Sequence, residues 1–227
     1  MNNKSNKVNA AIIIIGNEIL SGRTQEENLA YISKWLNSLG VKVEEVRIIP
    51  DLENEIINCV NELRKKFNYI FTTGGIGPTH DDITKEAFCQ LLNDELIFDE
   101  VYYSQLKDKF DKRLVKMPES NRSQAMLLKR ADSIPNDSGS ALGMHILEKR
   151  THIFILPGVP REMKEMVSSY IIPNYIGTAP EENYLTIKKM VGDAKVMAVI
   201  KANAYGHGAV PIAHILSDMG VHGFCVA

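Results

Sequence analysis

The hydrophobic pattern of the first third of the chain predicts three strands, each followed by a polar segment with turn-forming residues. The strands are expected at residues 8–15, 41–49 and 69–73. The first contains four consecutive isoleucines, and neither the first nor the third alternates between apolar and polar positions. Such runs are typical of strands that are covered on both faces of a parallel sheet.

Apolar residues at helical spacing separate these strands. One helix is predicted over about residues 25–39, with Gly40 as its left-handed stop. A second follows the second strand, and Asp51 is placed to be its N-cap. Strand–helix units joined by short loops predict a parallel sheet with right-handed crossovers. The three strand ends should then lie along one edge, where open α/β sheets bind their ligands.

The stretch after the third strand organises the chain. A loop with Gly74, Gly75, Gly77 and Pro78 leads into a helix that is predicted from about Ile83. A glycine loop between a strand and a helix offers backbone N–H groups to an anionic ligand. The candidate N-caps of this helix are Thr79, Asp81 and Asp82.

Adjacent carboxylates beside a phosphate site would repel a phosphate unless a cation lies between them. Asp81 and Asp82 therefore predict that a divalent cation bridges them to the ligand. The alternative is a tight turn in which the aspartates cap the helix. Glu18 follows the first strand and is expected either to face the same pocket or to be a solvated turn residue.

The rest of the chain predicts further elements and a change of character near residue 183. Helices are expected at 99–112, 117–126 and 161–170, and a hairpin at 143–147 and 152–156. Residues 174–183 are predicted to be a linker, and the first seven residues a disordered terminus. Beyond the linker, 195–201, 209–219 and 221–227 predict one strand–helix–strand unit, which is too small to bury its own faces.

Composition narrows the class of protein. The 227 residues are 44% apolar and 24% charged, which is typical of a soluble globular protein with a real core. The net charge of −2 gives no reason to expect nucleic acid or a membrane as a partner. Three scattered cysteines and no long apolar segment fit a cytoplasmic protein without disulfides or a membrane span.

Four separated motifs carry a resemblance to a known family. They are Ile-Gly-Asn-Glu-Ile-Leu-Ser-Gly-Arg-Thr at 15–24 with Asn28, Val-Arg-Ile-Ile-Pro-Asp at 46–51, Thr-Gly-Gly-Ile-Gly-Pro-Thr-His-Asp-Asp-Ile-Thr at 73–84, and Leu-Pro-Gly-Val-Pro at 156–160 with Glu-Met-Lys at 162–164. Over residues 8–173 the chain resembles the MoaB/Mog molybdopterin-binding domain, and more narrowly its competence-damage-inducible, CinA-like branch and the similar domain of FAD synthetase.

The resemblance implies a fold and a chemistry. The fold is a three-layer α/β/α domain around a mostly parallel, mixed sheet, usually oligomeric, so a homo-oligomer is expected. The branch is associated with metal-dependent hydrolysis of nucleotide pyrophosphates such as ADP-ribose or FAD. Aspartates matching Asp51 and Asp82 lie at the family's active site, which gives Asp51 a second role besides capping a helix.

These considerations predict a nucleotide pyrophosphatase that uses Mg²⁺ or another divalent cation. The predicted catalytic residues are Asp82 and Asp51, and the predicted metal ligands are Asp81 and Asp82. Substrate-binding residues are expected at Gly16, Glu18, Asn28, Thr73, Gly74, Gly75, Gly77, Pro78, Thr79 and Gly158. The alternatives are a molybdopterin adenylyltransferase or molybdopterin-binding protein, and a non-catalytic module that senses a nucleotide. In each case the partner is a small nucleotide or pterin.

The C-terminal segment resembles a different family. Val-Met-Ala-Val-Ile-Lys-Ala-Asn-Ala-Tyr-Gly-His-Gly at 196–208 and Gly-Phe-Cys-Val-Ala at 223–227 are similar to the start of the alanine racemase barrel. The resemblance implies that Lys201 and Tyr205 match residues at its pyridoxal phosphate site. Because one βαβ unit of a TIM-type barrel cannot supply the rest of that site, the fragment is expected to be an incomplete, non-functional remnant without racemase activity.

Overall fold

The computed structural model describes residues 8–176, 194–199, 209–218 and 220–225. In chain order its elements are β1 (Asn9–Ile15), α1 (Asn17–Leu20), α2 (Asn28–Ser38), β2 (Lys42–Ile49), α3 (Glu53–Leu63), β3 (Tyr69–Thr73), α4 (Thr84–Leu92), β4 (Leu96–Phe98), α5 (Glu100–Lys112), a 3₁₀ helix (Glu119–Ala125), β5 (Met126–Leu128), β6 (Asp132–Ile134), β7 (Gly143–Glu148), β8 (Thr151–Leu156), α6 (Pro160–Met166), a π-helix (Val167–Ile176), β9 (Met197–Val199), α7 (Ala209–Asp218) and β10 (Gly223–Cys225).

A six-stranded sheet in the order β2-β1-β3-β8-β7-β6 forms the centre of the domain. β1 pairs in parallel with both β2 and β3, and β3 pairs in parallel with β8. β7 is antiparallel to both of its neighbours, β8 and β6. The predicted mostly parallel, mixed sheet is therefore confirmed.

Helices cover the two faces of this sheet and make three layers. Alternate residues of β1 face opposite sides: Ile13 joins the core formed with α3, α4 and α5, whereas Ile12 joins the core formed with α2, α6 and the π-helix. Because both cores are apolar, β1 needs isoleucine at consecutive positions, and each buried isoleucine stabilises the fold by about 1.5–3 kcal/mol.

Three helix predictions are wrong in their details, and the first two concern residues 117–126 and 25–39. Residues 117–126 do not form an α-helix: a 3₁₀ helix is followed by β5, which pairs antiparallel with β4 in a small separate sheet. α2 begins later than predicted, at Asn28. The Glu26 carboxylate accepts hydrogen bonds from the N–H groups of Asn28 (2.6 Å) and Leu29 (3.0 Å), which satisfies two donors at this helix start.

The helix predicted over 161–170 is two helices, α6 and the π-helix. The π-helix contains Pro173, which has no N–H group to donate, and it continues to Ile176. It thus includes the first residues of the segment predicted as a linker, whose remainder lies outside the described residues together with residues 1–7. Among the described residues, no helix is long and apolar enough to cross a membrane.

The predicted strand–helix–strand unit is present in the described part of the C-terminal segment. β9 and β10 pair in parallel, and α7 lies between them in the chain. Met197 and Val199 of β9 are about half exposed, unlike the buried residues of β1. Lys201 and Tyr205 lie outside the described residues.

Candidate active site at the carboxyl edge of the sheet

The segments that follow β1, β2, β3 and β8 meet at one edge of the sheet because these four strands run parallel. We call this the carboxyl edge; its segments are 16–18, 50–51, 74–82 and 157–158. Direct contacts join them: the Gly16 N–H donates to the Ile49 carbonyl (3.1 Å) and the Gly74 N–H to the Leu156 carbonyl (3.0 Å). The prediction that the first three strand ends share an edge is confirmed.

Two glycines of the loop after β3 are required by the close approach of neighbouring backbone and side chains. Gly74 has φ +106°, and a Cβ there would lie 2.1 Å from the Ile15 carbonyl oxygen. Gly75 has φ +68°, and its Cβ would lie 2.1 Å from Thr84 Oγ1. A Cβ at Gly158 would lie 3.4 Å from the Gly74 Cα, so Gly158 packs close to the same turn. No other residue could hold the loop in this position without displacing β1 or α4.

Not all of the loop's N–H groups are open to a ligand, contrary to what the sequence suggests. The Gly74 N–H is used by Leu156, and the Thr79 N–H donates to Asp82 Oδ2 (2.9 Å). The N–H groups of Gly75, Ile76 and Gly77 have no hydrogen-bond acceptor in the described part of the chain. These three donors are the N–H groups of the loop that remain available to hydrogen-bond an anion.

Asp82 closes the loop instead of capping α4. Its Oδ2 accepts from both the N–H (2.9 Å) and the hydroxyl (2.6 Å) of Thr79, and it lies against Gly77, where a Cβ would be 2.6 Å away. The N-cap of α4 is Ile83, with no side-chain cap, so the prediction of Thr79, Asp81 or Asp82 as N-cap is wrong. Thr79 donates to Asp82 Oδ2, so this oxygen serves the loop turn and not the start of α4.

Asp51 likewise does not cap the helix that follows it. The N-cap of α3 is Leu52, and Asp51 Oδ2 accepts from the Asn17 N–H (2.8 Å), which ties the end of β2 to the start of α1. Burial raises the pKa of Asp51, and the negative charges of Glu18 and Asp82 raise that pKa further. Two carboxylates from two other strand ends therefore act on Asp51 at the carboxyl edge.

Glu18 and Asp81 differ in how they join this cluster. Glu18 is exposed, but its carboxylate folds over Gly16, whose Cβ would lie 2.7 Å from Glu18 Oε1. Asp81 is exposed and makes no hydrogen bond or ion pair with the described residues. The described chain holds no preassembled group of three or more His, Cys, Asp or Glu ligands. The donors present are oxygens, which suit a Mg²⁺ ion held by one or two carboxylates and completed by water and phosphate.

Two of the predicted substrate-binding residues at this edge have buried side chains with a polar atom that lacks a partner. Asn28 donates through Nδ2 to the Gly158 carbonyl (2.9 Å), but its Oδ1 is unpaired. Thr73, the last residue of β3, has an unpaired Oγ1. Both side chains are at least 95% buried, where an unmade hydrogen bond costs about 1–3 kcal/mol. Both residues were predicted to bind substrate.

Lys85 is a candidate residue that sequence reasoning missed. It lies in the first turn of α4 and is only 5% exposed, and its ammonium group donates to the Ser123 carbonyl (2.8 Å). With Gly77, Pro78, Thr79 and Asp82 it lines a cleft of about 360 Å³. A lysine in a first helical turn resembles an ordinary surface residue in sequence, so only the packing of the 3₁₀ helix over it could reveal its burial.

The loop between β6 and β7, residues 135–142, also reaches the carboxyl edge because β7 runs antiparallel to β8. Asn136 is buried there and donates to the Ala141 carbonyl (2.9 Å) and to Glu162 of α6 (2.5 Å), while its Oδ1 accepts from the Gly139 N–H (2.8 Å). The sequence showed only turn-forming residues here. The polar side chains of this loop mostly bond to other residues of the same loop, so the loop has a structural role at the carboxyl edge.

With the geometry described, comparison with known proteins identifies the family. The family model described as "Probable molybdopterin binding domain" matches residues 11–175. The chain belongs to this family. The match includes every predicted site residue of the carboxyl edge, from Gly16 to Gly158.

Individual relatives narrow the resemblance to the CinA-like branch. The crystal structure of the protein CinA, with unknown function, from Thermoplasma acidophilum is 31% identical with a TM-score of 0.66, over 73% of this chain and 96% of that one. A CinA-like protein of Flavobacterium psychrophilum is 36% identical over 74% of this chain. The match covers 40% of that relative's length. A molybdopterin biosynthesis protein from Mycobacterium abscessus (17% identity, TM-score 0.50, 79% of this chain and 98% of that one) shares the fold alone.

The C-terminal segment matches a second family model. "Alanine racemase, N-terminal domain" matches residues 178–227, as the resemblance at 196–208 predicted. Because Lys201 and Tyr205 lie outside the described residues, their roles stay predictions. Two histidines of this segment lie within the described residues: His214 is exposed, and His222 Nδ1 accepts from the Val196 N–H (3.1 Å).

Proposed function

We propose that residues 8–176 form a divalent-metal-dependent hydrolase of nucleotide diphosphate linkages, such as those of ADP-ribose or FAD. One observation supports this most: the carboxylates of Glu18, Asp51 and Asp82 share an edge with the N–H groups of residues 75–77, which have no acceptor among the described residues. An edge that presents both negative oxygens and N–H donors suits a ligand that brings its own phosphates together with a cation.

The residues present fit a divalent cation by their chemistry. Asp82 and Asp51 would hold it, with Glu18 or the exposed Asp81 as further oxygen donors. A bound Mg²⁺ or similar ion neutralises phosphate charge and lowers the pKa of a bound water. The repulsion among the carboxylates, which raises the pKa of Asp51, is the kind of cost that such a cation removes.

The chain's own residues would bind and orient the substrate. The N–H groups of residues 75–77 would donate to phosphate oxygens, and the rigid turn at Gly74 keeps them in place. Asn28 Oδ1 and Thr73 Oγ1 are unpaired and buried, so a polar group of the nucleotide would complete their hydrogen bonds. Phosphoryl transfer depends on such positioning, and no side-chain nucleophile is needed.

The test is hydrolysis of ADP-ribose and FAD with and without Mg²⁺ by wild type and by Asp82→Asn. The variant should keep its fold, because its side-chain oxygen can still accept from Thr79, but it should lose about 10²-fold or more in turnover. Asp108→Asn on the exposed side of α5 removes the same charge elsewhere and should leave turnover unchanged. Equal turnover of Asp82→Asn and wild type would contradict the proposed site.

The family description supports a second candidate, binding or adenylylation of molybdopterin. Incubation with ATP and molybdopterin would give an adenylylated product if this is the activity. Tight binding of ADP-ribose without turnover under several divalent ions would instead indicate a module that senses a nucleotide.

A further inference from the structure

Lys85 is buried beside the proposed site without a counter-ion. No carboxylate of the described chain lies within ion-pair distance (4.0 Å) of its Nζ. Its one described hydrogen bond, to the Ser123 carbonyl, leaves two of the three ammonium hydrogens without a protein acceptor. Because this mostly buried side chain (5% exposed) lines the cleft beside Asp82, an acceptor that enters the cleft could take these hydrogen bonds.

The surroundings of Lys85 are unfavourable for an ammonium group unless that group binds a ligand. Lys85 lies in the first turn of α4, at the positive end of the helix dipole. Burial lowers its pKa to about 8, against the carboxylates of Glu86 and Asp82, which raise it. Methionine or leucine would fill the same space without this cost.

Residues of the glycine loop form part of the wall of the cleft that Lys85 lines. Its wall includes Gly77, Thr79 and Asp82 from the loop and Ser120 and Ser123 from the 3₁₀ helix. Other titratable groups also line it: His80, Glu86 and Glu119. Because three carboxylates line this space and Lys85 is the one lysine or arginine among its described lining residues, an anionic group would need the lysine, or a bound divalent ion, to compensate its charge.

We propose that the Lys85 ammonium group binds a phosphate oxygen of the substrate's diphosphate group, in the cleft next to Asp82. This rests on the proposed function and deepens it, since it assigns the phosphate contact on the side of the 3₁₀ helix. The ligand would replace the missing counter-ion and accept one or both of the free ammonium hydrogens.

The test measures binding of inorganic pyrophosphate with Mg²⁺ by calorimetry on the full chain. Lys85→Met should bind about tenfold to a hundredfold more weakly than wild type, the loss expected for one charge-assisted hydrogen bond to phosphate. Lys112→Met, at an exposed position of α5, removes the same charge and should bind as wild type. Thermal unfolding should show Lys85→Met to be no less stable, because methionine removes an unpaired buried charge.

Proton uptake gives a readout that a merely structural lysine would not move. An anion bound to Lys85 raises its pKa from about 8, so wild type should take up protons on binding near that pH. Titrations at pH of about 8 in two buffers of different ionisation heat measure this uptake. Pyrophosphate and the carboxylates titrate in both proteins, so the difference between wild type and Lys85→Met isolates Lys85.

The outcomes separate this inference from the proposed function. If wild type hydrolyses no diphosphate but binds pyrophosphate in a Lys85-dependent way, the inference stands and the proposed activity fails. If wild type hydrolyses ADP-ribose and Lys85→Met binds pyrophosphate equally well, the inference is overturned and the activity stands. Absence of any pyrophosphate binding by wild type would also overturn it.

Discussion

Charged groups are paired at one end of the central sheet and unpaired at the other. We call the end opposite to the carboxyl edge, where β7 ends at Glu148 and β8 begins at Thr151, the amino edge. At the amino edge, Glu148 pairs with Arg64 (3.7 Å) and with Arg130 (3.5 Å). The Thr151 hydroxyl there lies within hydrogen-bond distance of two carbonyls, those of Arg64 and Phe67. At the carboxyl edge, burial and the nearby charges of Glu18 and Asp82 raise the pKa of Asp51, and Lys85 lacks a counter-ion among the described residues.

This difference separates a structural edge from a candidate functional one. Paired groups stabilise a fold, whereas unpaired buried groups cost stability and persist where a ligand completes them. Cavity size alone would point the other way: the larger cleft, of about 640 Å³, lies at the amino edge and is lined by exposed basic residues such as Lys65 and Lys149. We therefore base the candidate site on its unsatisfied buried groups and not on cleft volume.

The largest effect is expected where the carboxyl edge is most tightly built. Gly74→Ala would place a Cβ 2.1 Å from the Ile15 carbonyl oxygen at φ +106°, and it should destabilise the protein by about 3 kcal/mol or more. Gly22→Ala is the matched control, because Gly22 also has positive φ (+72°) but nothing lies within 4 Å of its Cβ; it should cost about 1 kcal/mol. Urea unfolding of both variants measures the difference, and equal costs would show that the loop has room to move.

Acidification should affect the amino half of the sheet next. His145 is buried between Phe154 and Tyr175, and its Nε2 lies 3.0 Å from Nδ1 of His152. Burial lowers the pKa of both histidines, with the neighbouring His145 lowering that of His152 further. The folded protein therefore holds them neutral, while the unfolded chain takes up protons first. Stability should be fully present above pH of about 6.5 and be lost as pH falls through the lowered pKa values.

The variant His145→Phe isolates this contribution. Phenylalanine can keep the stacking with Phe154 while removing one titrating group and the coupling to His152. Urea midpoints at pH of about 7.5, 6 and 5 should fall less steeply for the variant than for wild type. Carboxylates other than Asp132, whose Oδ2 lies 3.2 Å from His145 Nδ1, have the same surroundings in both proteins. Parallel profiles would therefore mean that the histidine pair does not control acid stability.

Most of the fold could be predicted from the sequence because its strongest signals are local. Uninterrupted apolar runs identified β1 and β3, and short polar connections predicted their parallel order. β4 and β6 were missed because each has only three residues, too few for a period to show. The β9–α7–β10 unit shows that an apolar run alone does not predict burial. Its hydrophobic pattern resembles that of β1 and its neighbours, but Met197 and Val199 of β9 are about half exposed.

The candidate site was only partly predictable, because residue type does not reveal a side chain's partner. Asp51 and Asp82 have the spacing of helix N-caps, yet one binds Asn17 and the other Thr79, both across loops whose course only the folded backbone sets. Lys85 differs from a surface lysine only through tertiary burial. The need for glycine at 74 and 75 was predictable, since a required close approach limits the choice of residue directly.

The smallest effect is expected from a substitution at the amino edge, which the comparison takes to be structural. Glu148→Gln removes a carboxylate, as Asp82→Asn does, but at the amino edge. Because Glu148 and its partners Arg64 and Arg130 are 22–42% exposed, the two ion pairs together should contribute about 1 kcal/mol or less, and this loss should shrink at high salt. Turnover and pyrophosphate binding should stay unchanged, since the residue lies at the opposite end of β7 and β8 from the glycine loop. A loss of turnover in Glu148→Gln equal to that in Asp82→Asn would show that charge at either edge controls activity, and the division between a structural and a functional edge would fail.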